Sequence, residues 1–115
     1  MPTANLPADK QELSELYQKT IDVHHGYLER LHAAFNARCE KIGAETKEKL
    51  AVIDKDDQES RNKILLEEKE LLDKTLAELK RAINKSNADA RKKLEEIQEK
   101  LEEGEINLEH ELSKL

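Results

Sequence analysis

Ile53-Asp54-Lys55-Asp56-Asp57-Gln58-Glu59 decides the fold, because it parts two long segments that share a helical apolar period. Aspartate carboxylates accept hydrogen bonds from nearby backbone N–H groups, so a cluster of them favours turns and helix N-caps over helix interiors. Asp56 and Glu59 have the spacing of a capping box. A turn belongs here, with one helix before it and one after.

Upstream, residues set at 100° intervals place Leu13, Leu16, Tyr17, Thr20, Ile21, Val23, Tyr27, Leu28, Leu31, Ala34, Phe35 and Ile42 in one arc of about 160°. Glu15, Gln18, Lys19, Asp22, His25, Glu29, Asn36 and Glu40 occupy the opposite side. Pro7 suits a first helical turn, where its missing N–H costs nothing, and Asp9 with Glu12 offers a second capping pair. The first helix is expected over about residues 8–53, after a tail of residues 1–7. Glu45 and Lys49 intrude on the arc beyond Gly43, which marks a candidate bend.

Downstream, Ile64, Leu65, Leu72, Leu76, Leu79, Ile83, Ala90, Leu94, Ile97 and Leu101 keep a narrower arc of about 120°. Asn84-Lys85-Ser86-Asn87 has the composition of a turn, yet the apolar phase is preserved across it. A reconnecting turn would reset the phase, so one helix of about residues 57–103 is expected; the alternative is a three-helix bundle broken near 84–90. Gly104 reads as a helix stop, and Asn107 as the cap of a short C-terminal helix within residues 104–115. The fold expected is all-α: a long antiparallel helical hairpin or coiled coil, residues 8–103, with a short C-terminal helix.

Composition narrows the function. Charged residues are 40% of the chain and aromatics 3%, a balance that suits long helices and coiled coils. The net charge of −6 argues against a nucleic-acid partner, which needs basic surface to displace phosphate counterions. No apolar run approaches the ~20 residues that span a bilayer. Met1-Pro2-Thr3-Ala4-Asn5 lacks the basic and apolar regions of a signal peptide, and the single Cys39 fits a reducing compartment, so a cytoplasmic chain is expected. No phosphate loop, nucleophile–base arrangement or paired-cysteine motif is present, and neither an enzyme nor a cofactor is expected.

One narrow-faced helix cannot cover a neighbour's arc of about 160°, so the leftover surface calls for a further helix, from a second copy or from another protein. The expected partner is protein, with a homodimer favoured. Its contact surface is centred on Tyr17, Ile21, His24, Tyr27, Leu28, Leu31 and Phe35. Charge along the second helix is segregated as well. Lys80, Arg81, Lys85, Arg91, Lys92 and Lys93 surround a lone acid, Asp89, whereas Glu95–Glu111 holds eight acids and only Lys100 as a base. The pairs Arg91–Glu95, Lys92–Glu96 and Glu96–Lys100 have i,i+4 spacing, and two chains crossing antiparallel near Leu94 would also match the blocks.

Asp22, His25, Glu29 and His32 recur at helical-turn spacing, which makes His25, Glu29 and His32 the candidate metal ligands. Glu29-Arg30-Leu31-His32 matches one Glu-x-x-His element of di-iron bundles, but no second such element occurs and the stripe lies on the polar side. His24 falls within the apolar arc, where a hydrogen-bonded register-setting role is the ordinary one. Cys39 has no acid–base partner in sequence and reads as a small apolar filler.

Leu94-Glu-Glu-Ile-Gln-Glu-Lys-Leu-Glu-Glu-Gly104-Glu-Ile-Asn-Leu-Glu-His-Glu-Leu112 resembles the helix–Gly–helix signature of the exonuclease VII small subunit, a non-catalytic hairpin that binds a nuclease subunit. The likeness implies an accessory role and is confined to this stretch. Ser113-Lys114-Leu115 matches the peroxisomal import tripeptide, which gives a peroxisomal address if the chain is eukaryotic. The functional expectation is a non-catalytic assembly or adaptor protein; an accessory subunit or chaperone of a larger complex, and a metal-binding helical bundle, are the alternatives.

Overall fold

In the computed structural model the backbone is described for residues 2–114, and side chains for residues 10–105, 110 and 112–114. Two α-helices, α1 (Pro2–Ala51) and α2 (Gln58–Ser113), account for nearly all of it, and no strand occurs among the described residues. As α1 runs forward from Lys10 to His24, its partners on α2 run back from Glu105 to Ser86, so the helices are antiparallel.

The turn falls where the aspartates place it. Asp57 N donates to Asp54 O at 3.1 Å, and Ser60 N donates to Asp57 Oδ1 at 3.2 Å. Asp57, and not Asp56, is therefore the N-cap of α2. The Ser60 hydroxyl, and then its backbone N–H, favour the charged form and hold the Asp57 carboxyl below its usual value.

Two expected boundaries move, and the expected continuity of the second helix holds. α1 begins at Pro2, so residues 2–7 of the expected tail belong to the helix, which does not start near Ala8; Met1 lies outside the described residues. Asn84-Lys85-Ser86-Asn87 lies inside α2, which excludes the three-helix alternative. α2 also continues through Gly104 to Ser113, so the short helix expected over 104–115 is the end of α2 itself. Neither Gly43 nor Gly104 takes a positive φ, and a methyl group at either would meet open space. A glycine stop works by adopting the left-handed conformation; neither residue does so.

The covered positions follow a spacing that apolar residues alone do not reveal. On α1 most of them form three interleaved sets, Leu13/His24/Phe35/Thr46, Tyr17/Leu28/Cys39/Leu50 and Thr20/Leu31/Ile42, with Ile21, Gly26 and Gly43 beside them. On α2 the sets are Arg61/Leu72/Ile83/Leu94, Ile64/Thr75/Ser86/Ile97 and Glu68/Leu79/Ala90/Leu101. Each set advances by 11 residues, or about 3.67 per turn, close enough to the natural 3.6 that the seam stays on one face without the left-handed winding of a heptad repeat.

The chain divides into two packing units: Met1–Tyr27 with Lys85–Leu115, and Leu28–Asn84. The first has Ile97 as its buried apolar residue, and the second has Ile42; each is 7% exposed. In the second unit Thr46 and Thr75 are also buried, their hydroxyls donating to the carbonyls of Ile42 (2.9 Å) and Leu71 (2.7 Å) one turn back. Satisfying the hydroxyl within its own helix lets threonine enter an apolar seam with no partner across it.

Candidate interaction surface

Large apolar side chains stay exposed on both helices. Among the residues expected at the contact centre, Tyr17, Ile21, His24, Leu28, Leu31 and Phe35 are half-buried, and Tyr27 is exposed. Most of that centre is therefore partly covered within the chain, and the free apolar surface lies beside it. In the first unit Leu16 (48% exposed), Val23 (60%) and Tyr27 (40%) fall within about 40° of one another around the helix, forming one uncovered stripe. In the second unit the uncovered large apolar residues are Leu65, Leu66, Leu71 and Leu76 on α2, with Val52 in the turn.

His24 is held by α2. Asn87 Oδ1 lies 2.9 Å from its Nε2 and Ser86 Oγ lies 2.9 Å from its Nδ1. An amide oxygen only accepts, so Nε2 carries a hydrogen, and in the neutral ring the Ser86 hydroxyl then donates to Nδ1. Ser86 and Asn87, which look like turn residues in the sequence, are the partners that this seam histidine needs. The ion pair between Lys10 Nζ and Glu105 Oε1, at 2.8 Å, is the only one among the described residues. The i,i+4 pairs expected at Arg91–Glu95, Lys92–Glu96 and Glu96–Lys100 do not close, which leaves these charges directed to solvent.

Among the described residues, open grooves border the seam in each unit. In the first unit a groove of about 510 Å³ is lined by Tyr17, His24, Ala90 and Leu94, with Arg91 and Glu95 also on its wall. Ala90 is the smallest residue of its set on α2, and the missing side-chain volume opens this groove. In the second unit a groove of about 240 Å³ is lined by Leu31, Phe35 and Arg38 of α1 and by Thr75, Glu78 and Leu79 of α2.

The candidate metal ligands His25, Glu29 and His32 are exposed, and no three His, Cys, Asp or Glu side chains among the described residues come together around one ion position. Cys39 is half-buried in the seam. No helix among the described residues is long and apolar enough to cross a membrane. Sequence reasoning missed Thr46, Thr75 and Ser86 as seam positions; the 11-residue spacing from Leu13 and Ile64 is the signal that finds them. The chain matches no protein-family model, no curated protein and no solved structure, so neither the likeness at Leu94–Leu112 nor any other kinship is supported at that level.

Proposed function

We propose that this is a non-catalytic assembly protein that works through helix–helix contacts with a second copy or with a partner protein. One observation carries the reading: among the described residues only Ile42 and Ile97 are buried apolar side chains, while nine large apolar side chains stay exposed. These run from Leu16 and Val23 on α1 to Leu65 and Leu76 on α2. Two facing helices with so little buried between them gain little against the entropy of ordering the chain, and a further helix on the uncovered faces supplies the missing burial.

Thermal unfolding of the purified chain, followed by circular dichroism over a wide concentration range, tests this. Assembly with itself raises the midpoint as concentration rises. A broad transition at low temperature, independent of concentration, indicates a chain completed by a different protein. A sharp, concentration-independent transition of a monomer contradicts the proposal, because the hairpin then needs no partner.

A further inference from the structure

We infer that the first unit docks against a second copy of itself, with the two α2 helices crossing antiparallel near Leu94 over the groove that Ala90 opens. The inference rests on the assembly reading above and adds the partner and the place. Three observations meet there. The groove is open and partly apolar, lined by Tyr17, Ala90 and Leu94. Arg91 and Glu95 share its wall, and neither is engaged in an ion pair. Around them the charge of α2 changes sign: Lys85, Arg91, Lys92 and Lys93 precede Leu94, and Glu95, Glu96, Glu99, Glu102 and Glu103 follow it.

This order selects the occupant. A helix that is basic before a point and acidic after it is complementary to itself only when a second copy runs in the opposite direction, with the two-fold axis at the change of sign. A parallel copy would set basic on basic and acidic on acidic. The antiparallel crossing brings Arg91 of each copy within about a helical turn of Glu95 of the other, twice by symmetry. Leu94 of each copy then lies over the groove beside the other's Ala90, covering apolar surface that is otherwise open.

The test uses the full chain and two variants, Arg91→Glu and Glu95→Arg, studied by native mass spectrometry and sedimentation at low salt. The wild type is expected at twice the 13.2 kDa chain mass. Each variant alone sets like charges together at both symmetric positions and should dimerise about tenfold or more weakly. Mixed in equal amounts, the two variants should form a heterodimer of near wild-type affinity, since both cross-pairs are again opposite in sign. Repair by mixing cannot come from charge pairing within one helix, because neither chain is changed by the other except through contact. A wild-type dimer whose affinity the variants leave unchanged, or a mixture no tighter than its components, overturns this interface while leaving the assembly reading intact. A wild type that is monomeric overturns it too; the unfolding experiment above then decides whether another protein completes the chain.

Discussion

The two packing units differ in how polar groups meet the helix seam, although both hold a threonine bonded within its own helix, Thr20 in the first and Thr46 and Thr75 in the second. Only the first shows side-chain hydrogen bonds from one helix to the other among the described residues. In Leu28–Asn84 the buried polar residues, Thr46 and Thr75, return their hydroxyls to their own helices, so nothing polar passes between α1 and α2 through them. In Met1–Tyr27 with Lys85–Leu115, His24 reaches Ser86 and Asn87, and Lys10 reaches Glu105, so the polar groups tie one helix to the other. The difference bears on register. A seam whose covered positions repeat every 11 residues can be shifted by one repeat with little loss of apolar matching. Threonines bonded within their own helices do not oppose such a shift. His24, whose ring nitrogens both need partners at defined positions, opposes it, as a single buried polar residue does in a coiled coil.

Substitutions can break or sharpen this contrast. The largest effects are expected where the two units are alike. Ile42→Ala and Ile97→Ala should each cost about 2–3 kcal/mol, the lower part of the range for buried aliphatic truncation, since neither site is fully enclosed. Matched losses in chemical denaturation would show equal apolar packing, and a clearly smaller loss at Ile97 would mean that the first unit relies mainly on its polar ties. His24→Leu combined with Ser86→Ala should change stability by less than about 1 kcal/mol, because a hydrogen-bonded pair is exchanged for apolar contact. Its expected signature is heterogeneity, with amide resonances of residues 17–28 and 83–94 doubled or broadened. A single sharp set would remove the register role.

Gly43→Ala and Gly104→Ala place one substitution in each unit, at helical glycines with open space around them. Each should add up to about 1 kcal/mol. A loss at Gly104 would restore the helix stop that its residue type suggests. The smallest effect is at the turn, where Asp57→Ala should lower the melting midpoint by only a few degrees. The carboxyl value of Asp57 is depressed in the folded chain, so its contribution is fully present above the ordinary carboxylate range. That contribution disappears as pH falls through the lowered value. Melting curves of wild type and variant should therefore converge in acid.

Much of this fold is legible in the sequence because apolar phase is a long-range signal. The break at Asp54–Asp57 and the continuity through 84–90 both follow from it. The misreading at Gly104 came from local chemistry, since a glycine there is typed like a helix end. At Asn84-Lys85-Ser86-Asn87 the apolar phase rightly outweighs turn-like composition, but composition does not show that Ser86 and Asn87 are occupied by His24 on the other helix. The N-cap was misplaced by one residue because Asp56 and Asp57 are chemically equivalent until the backbone decides which carboxylate meets Ser60 N–H. Counting apolar residues alone hid the seam at Thr46, Thr75 and Ser86, since hydroxyls satisfied nearby behave there as small packing groups. The exposed Leu66 and Leu71 on α2 lie outside the narrow apolar arc read from the sequence, because that arc counts only residues in phase. Which edge stays free, at Leu16, Val23 and Tyr27, depends on where α2 lies.

The account stands on the incompleteness of a two-helix seam, and sedimentation equilibrium of the wild-type chain at low salt, from low to high micromolar concentration, tests this most directly. A mass rising from 13.2 kDa to twice that value is predicted, with dissociation as salt is added. A mass fixed at 13.2 kDa throughout, in a chain that still unfolds sharply on heating, would contradict it.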